Sequence, residues 1–66
     1  MTCIVYKLIG TADGSARASK RETKLCVSRA EMDRYMQAMS RKYAGEYGVL
    51  IEVYDDRDNL ISSSIV

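Results

Sequence analysis

The stretch that decides the fold is SRAEMDRYMQAMSRKYAG, residues 28–45, which carries the start and stop signals of a single helix. Ser28 and Glu31 have the spacing of a capping box, in which each side chain accepts a hydrogen bond from a backbone N–H group that the helix start leaves unpaired. Gly45 suits the left-handed conformation that often ends a helix. The sequence therefore predicts a helix over residues 28–44.

One side of this predicted helix is apolar. Val27, just before the cap, has the spacing of a hydrophobic staple with Met32. Apolar residues then recur at steps of three and four, which places them on one face. They are Met32, Tyr35, Met36, Met39 and Tyr43. We interpret this methionine-rich stripe as the side that packs against the rest of the chain, because methionine fills irregular gaps in protein cores.

Short segments rich in β-branched and alternating apolar residues predict strands. They are Thr2–Ile9, Glu22–Val27, Val49–Tyr54 and, as a fourth strand that would complete a hairpin, Leu60–Val66. In the first segment Ile4, Tyr6 and Leu8 share one face, and the opposite face is also largely apolar. We therefore expect this strand to be central in the sheet, or to have its second face covered by a partner.

The segment Gly10–Lys20 has two glycines and small polar residues, and its apolar residues follow neither the period of a strand nor that of a helix. We therefore expect a loop there. Loops of this length in small domains are often functional or mobile. Because Arg17, Lys20 and Arg21 close it, this segment is the first candidate for a partner surface. A solvated, flexible loop is the alternative interpretation.

The predicted element order is β-loop-β-α-β-β within one domain, residues 1–66. Three or four strands and one helix predict a two-layer α+β fold with the helix, residues 28–44, on one face of the sheet. The second and third strands could lie parallel through a right-handed crossover, or the helix could pack between antiparallel neighbours. The sequence leaves both arrangements open.

Catalytic and metal-binding motifs are not expected in this sequence. The chain has no His, so a Ser or Cys nucleophile would lack its usual base. Cys3 and Cys26 lie in apolar runs and are interpreted as buried thiols, with no second cysteine near either one to form a metal site. The acidic group Asp55, Asp56 and Asp58 lacks the calcium-loop spacing and is interpreted as a solvated turn. We therefore expect a non-enzymatic protein with no cofactor.

The charge distribution suggests which partners the chain could bind. The net charge is only +1, but residues 1–30 hold six basic and two acidic side chains, while residues 31–66 hold four basic and seven acidic ones. The basic end could attract an acidic protein partner. The alternative is a small nucleic-acid-binding or regulatory protein that uses the basic cluster at residues 17–24, with Tyr6 or Tyr54 as a stacking face. A third hypothesis is an obligate homodimer.

The sequence has no apolar run long enough to span a bilayer and no recognisable export signal at its N-terminus. Membrane insertion is therefore not expected. The expected location of the protein is the cytoplasm.

The order and spacing of several segments resemble a known family. The segments are IVYKLIG, ARASKRET, KLCVSRAEM, MDRYMQAMSRKYAG and GVLIEVYD, within residues 3–54. Together they resemble the small linker polypeptides of the phycobilisome and the related domain of core and rod linkers. The resemblance implies a non-catalytic α+β plug that caps or organises phycobiliprotein discs in photosynthesis, at the cytoplasmic face of thylakoids.

The resemblance also implies a set of partner-binding residues. Basic side chains in the loop and around the helix start would meet acidic surfaces of the disc, and two tyrosines would lie near its chromophores. The candidates are Arg17, Lys20, Arg21, Lys24, Arg29, Arg34, Tyr6 and Tyr35.

Overall fold

A computed structural model describes residues 1–65 and shows a four-stranded antiparallel sheet with one helix, which confirms the predicted α+β class. The elements are β1 (Thr2–Gly10), β2 (Ala16–Leu25), α1 (Arg29–Lys42), β3 (Val49–Tyr54) and β4 (Leu60–Ile65). The strand order is β2-β1-β3-β4. Val66, the last residue of the predicted fourth strand, lies outside the described residues.

The central position predicted for β1 is confirmed, because β1 pairs with β2 on one side and with β3 on the other. Both pairings are antiparallel, so β2 and β3 run in the same direction. They are not neighbours, since β1 lies between them. Of the two predicted arrangements, the one in which β2 and β3 point in the same direction is therefore confirmed. The helix α1 connects these two strands across β1.

The core lies between α1 and one face of the sheet. The odd-numbered residues of β1 and β3 point to the helix, as strand alternation requires. Eight apolar side chains there are almost completely buried: Cys3, Val5, Cys26, Met32, Met39, Val49, Ile51 and Val53. The predicted methionine stripe of α1 thus forms the helical half of the core, with Met36 partly buried beside it.

The start of α1 follows only part of its prediction. The Ser28 Oγ accepts a hydrogen bond from the Glu31 N–H at 3.2 Å, as a cap should. The Glu31 carboxylate instead lies 3.4 Å from Lys24 Nζ on β2. The predicted staple is wrong, because the Val27 side chain is 86% exposed. Gly45 has φ of +87°, as predicted for the residue that follows the helix.

The loop predicted over residues 10–20 is wrong, since β2 begins at Ala16 and only the five residues Thr11–Ser15 form the connection. The Asp13 carboxylate holds this turn by accepting hydrogen bonds from the Ser15 N–H at 3.1 Å and the Ser15 hydroxyl at 2.7 Å. Hydrogen bonds from Thr11 and Ser15 lower the pKa of Asp13 to about 2. The small polar residues at the start of β2 have weak strand propensity, but they form a strand because they pair with β1.

We predict that Ile51→Ala lowers the free energy of unfolding by about 2 to 5 kcal/mol, because it leaves a cavity at a side chain that is 1% exposed. Leu25→Ala is the control, since Leu25 is 69% exposed and its loss should cost less than about 0.5 kcal/mol. Urea denaturation followed by circular dichroism measures both. Equal effects of the two substitutions would contradict the assignment of the core.

Candidate functional site

The candidate site is the face of the sheet that points away from α1, which we call the open face. Strand register places its residues in rows across the sheet. One row runs Lys20, Tyr6, Leu50 and Ile65, and the next runs Thr23, Ile4, Glu52 and Ser63. A third row contains Leu25, Thr2, Tyr54 and Leu60. No element of residues 1–65 other than the sheet itself contributes to this face.

The open face is apolar to an unusual degree for a surface in contact with water. Ile4, Tyr6, Leu8, Leu50 and Tyr54 are each partly exposed. At the margins of the face the exposed fractions are larger, including Leu25 at 69%, Leu60 at 51% and Ile65 at 70%. A contiguous apolar surface of this kind typically marks a binding site.

A shallow depression lies within the open face. It is lined by Thr2, Ile4, Tyr54 and Asp58. The Tyr54 hydroxyl donates a hydrogen bond to Glu52 Oε1 at 2.9 Å, and this bond raises the pKa of Tyr54. Glu52 therefore places a carboxylate, held by its tyrosine neighbour, in the middle of the otherwise apolar face.

Two of the sequence-predicted residues are brought together here. Tyr6 and Lys20 are direct cross-strand partners on the open face. The register between β1 and β2 shifts after Val5, so Arg21 is an extra residue in β2 and forms a bulge next to Lys20. Among residues 1–65, neither Lys20 nor Arg21 takes part in an ion pair. Lys20 therefore places a positive charge at the margin of the open face, and Arg21 adds a second one in the bulge at the edge of the sheet.

The remaining basic candidates lie elsewhere. Arg17 pairs with Ile9 and Lys24 with Cys3, so both belong to the helix side of the sheet. Arg29 and Arg34 are exposed on α1, in the layer that covers that side. One flat partner surface therefore could not contact Tyr6 and Arg34 together.

Tyr35, the second tyrosine predicted to lie near a partner, is partly buried against the core between α1 and the sheet. Its side chain packs against both buried clusters between α1 and the sheet, and burial raises the pKa of its hydroxyl. A residue in this position primarily links the two layers. The helical spacing that made Tyr35 part of the apolar stripe is the signal for this role.

A polar cluster joins β2 to the C-terminal end of α1. Glu22 Oε2 accepts a hydrogen bond from the Tyr43 hydroxyl at 2.6 Å and another from Lys42 Nζ at 2.9 Å. The hydrogen bond from Tyr43 is the largest cause that lowers the pKa of Glu22, and the hydrogen bond from Lys42 is the second largest. Because all three groups satisfy one another at the rim of the core, the cluster is structural in character.

The two cysteines form a buried pair. Cys3 Sγ and Cys26 Sγ lie 3.8 Å apart, and both residues are at most 1% exposed. Burial is the main cause that raises the pKa of Cys3 to about 11, and its contact with Cys26 adds to the effect. Since the thiolate is the reactive form, this thiol is protected from alkylation at neutral pH. The sequence-based interpretation of both cysteines as buried thiols is confirmed.

The acidic group Asp55, Asp56 and Asp58 lies in the turn between β3 and β4. The Asp55 carboxylate accepts hydrogen bonds from the N–H groups of Arg57 at 2.8 Å and Asn59 at 2.9 Å. The bond from Asn59 is the largest cause that lowers the pKa of Asp55. Asp55 therefore stabilises the turn through its own backbone. Within residues 1–65 there is no group of three or more His, Cys, Asp or Glu side chains placed to hold a metal ion.

Most of the open face was not predicted as a site from the sequence. Its signal was present in the first predicted strand, which is apolar on both sides although one helix can cover only one of them. The same holds for β3, where Leu50 and Tyr54 alternate with the buried residues. The residues of β1 and β3 that α1 leaves uncovered form the candidate site.

Comparison with known proteins gave no match, whether to protein-family models, to curated proteins or to solved structures. In the part of the chain that the structure describes, no helix is both long and apolar enough to cross a membrane.

We predict that the free energy of unfolding falls as the pH rises from 8 to 10, and that Cys3→Ala makes this fall smaller. Unfolding restores the ordinary pKa of 9.0 to Cys3, whereas folding raises it to about 11, so the unfolded state loses its proton first and gains stability. Urea denaturation at several pH values measures the slope. Identical slopes for the two proteins would contradict the burial of this thiol.

Proposed function

We propose that the chain is a non-catalytic protein-binding module whose open face docks on a partner with an acidic region. The observation that carries the proposal is the apolar open face, with α1 covering only the opposite side of the sheet. Burial of a large apolar side chain that is half exposed, such as Leu60 at 51%, would stabilise a complex by roughly 1 kcal/mol. Several such side chains buried together would help to offset the free-energy cost of association.

The charges beside the open face support an acidic region on the partner. Lys20 lies on the open face at its β2 margin, Arg21 follows it in the bulge, and neither has an ion-pair partner within residues 1–65. Charges in this position accelerate encounter and fix orientation more than they increase the final affinity. The partner would meet Tyr6 and Leu50 with apolar side chains and would place its acidic groups opposite β2.

Nucleic acid is the weaker candidate because of the position of Glu52. This carboxylate lies between the rows that contain Tyr6 and Tyr54, where a base stacked on either ring would bring phosphates near a negative charge. The acidic turn Asp55–Asp58 adjoins the same face. A protein partner can match this mixture of apolar, positive and negative groups, whereas the backbone of a nucleic acid is uniformly negative.

The resemblance to small phycobilisome linkers supplies a narrower form of the proposal. In that form the partner is a phycobiliprotein disc and the protein is cytoplasmic, at the thylakoid surface. Tyr6, Lys20 and Arg21 would provide the contact, since these are the candidates that lie together on or beside the open face.

The general proposal can be tested in cells with a photoreactive benzophenone amino acid in place of Tyr6. We expect an adduct with one protein, identified by mass spectrometry, whose surface is acidic. The matched control has the same amino acid in place of Arg34, which is exposed on α1. Equal adducts from both positions, no adduct from position 6, or an adduct with nucleic acid alone would overturn the proposal.

We further predict that Lys20→Glu weakens binding to this partner about tenfold or more, a loss of about 1.4 kcal/mol. Arg34→Glu changes the net charge equally but lies on α1, so it should leave the affinity within about twofold. Titration calorimetry measures both, with purified phycobiliprotein discs as the first partner tested and random RNA as the competing class. Equal losses from the two substitutions would show that only net charge matters and would contradict docking through the open face.

Binding to discs without binding to RNA would support the linker form. Binding to neither, together with a specific adduct at position 6, would overturn the linker form and leave the general proposal supported.

A further inference from the structure

The two edge strands of the sheet, β2 and β4, differ in how well they are protected against pairing with a strand of another chain. The β2 edge carries Arg17, Lys20, Arg21 and Lys24 and is interrupted by a bulge. Charges and bulges are the usual means by which edge strands avoid pairing with other chains. In contrast, β4 has the sequence LISSSI, without a charge or a proline, and its bulge is confined to its start, at Ile61. Within residues 1–65 no strand lies on the outer side of β4, so its unpaired backbone groups are available to another strand.

Residues 61–65 of β4, with the sequence ISSSI, are symmetric about Ser63. Ile61 and Ile65 flank Ser62, Ser63 and Ser64, so the segment has the same residues in both directions. An antiparallel pair of two such strands about a two-fold axis at Ser63 places Ile61 of one copy opposite Ile65 of the other. Each serine then faces a serine. This self-complementarity identifies the partner strand as β4 itself.

We propose that β4 pairs with β4 of a second copy of this chain, antiparallel and centred on Ser63, to form a dimer with one continuous sheet. The two exposed isoleucines, Ile61 at 51% and Ile65 at 70%, gain cross-strand partners in this arrangement. The serines at the centre are small and uncharged, so the backbones can approach to the spacing of a normal sheet.

The same structure explains why assembly would stop at two copies. Pairing of β4 with β2 of another copy would generate an open filament, because each added chain would expose a new β4 edge. The four basic residues and the bulge of β2 oppose that contact. When β4 of one copy pairs with β4 of the other, both unprotected edges are covered and no further copy can be added there.

A dimer of this form joins two four-stranded sheets into one, with both helices on the same side. The two open faces become continuous, and a basic β2 strand lies at each outer margin. The inference rests on the edge of the sheet and is independent of what the open face binds.

The test is the molar mass of the full chain, measured by size-exclusion chromatography with light scattering at roughly 100 µM. We expect twice the 7.4 kDa mass of one chain. Ser63→Lys places two lysines opposite each other at the axis, and we expect the mass of a single chain. Ala18→Lys is the matched control on the open-face side of the β2 edge, and it should remain dimeric.

A second variant checks the register and circular dichroism checks that each variant is folded. Ser63→Cys should form an intermolecular disulfide on mild oxidation, whereas Ala18→Cys should not. A single-chain mass for the unsubstituted protein would overturn the proposal. So would loss of the dimer in both lysine variants, or equal cross-linking of both cysteine variants.

Discussion

The structure depends on the position of β1 between β2 and β3. This strand satisfies its backbone groups on both sides, and its alternation places Cys3 and Val5 under α1. Without it, β2 and β3 would have no common neighbour, and the helix that connects them would have no continuous surface to cover. A chain of 66 residues buries barely enough apolar surface to fold, so the loss of one central strand would be decisive.

A single helix over a four-stranded sheet also leaves one face of the sheet uncovered. The helix covers one face, and the sequence places apolar residues on both. The face left over combines Ile4, Leu50 and two tyrosines with a central carboxylate and a basic margin. The two thiols are buried in the core, and Asp55 in the acidic turn accepts hydrogen bonds from backbone groups of that turn. This arrangement is the basis of the proposal that the chain acts by binding.

Much of the fold could be predicted from the sequence because its signals are local. The cap at Ser28, the methionine stripe and the alternation in Val49–Tyr54 each involve residues within a few positions of one another. The start of β2 could not be predicted, because its strand forms only through pairing with β1. The bulge at Arg21 also shifts the two-residue period in the middle of the strand, so Arg17 and Glu22 point to the same side although they are five positions apart in the sequence. Regular alternation was absent for a structural reason.

For the candidate site the division is similar. The sequence by itself determined that Tyr6 lies on the apolar face of a strand, that basic residues cluster between positions 17 and 24, and that one helix would cover the sheet. Only the tertiary structure decided that Tyr6 and Lys20 are neighbours, that Tyr35 is internal, and that Arg34 belongs to the other side of the molecule. The physical reason is that side-chain direction along a strand or helix follows from local geometry, whereas strand order and register depend on contacts between residues far apart in the chain.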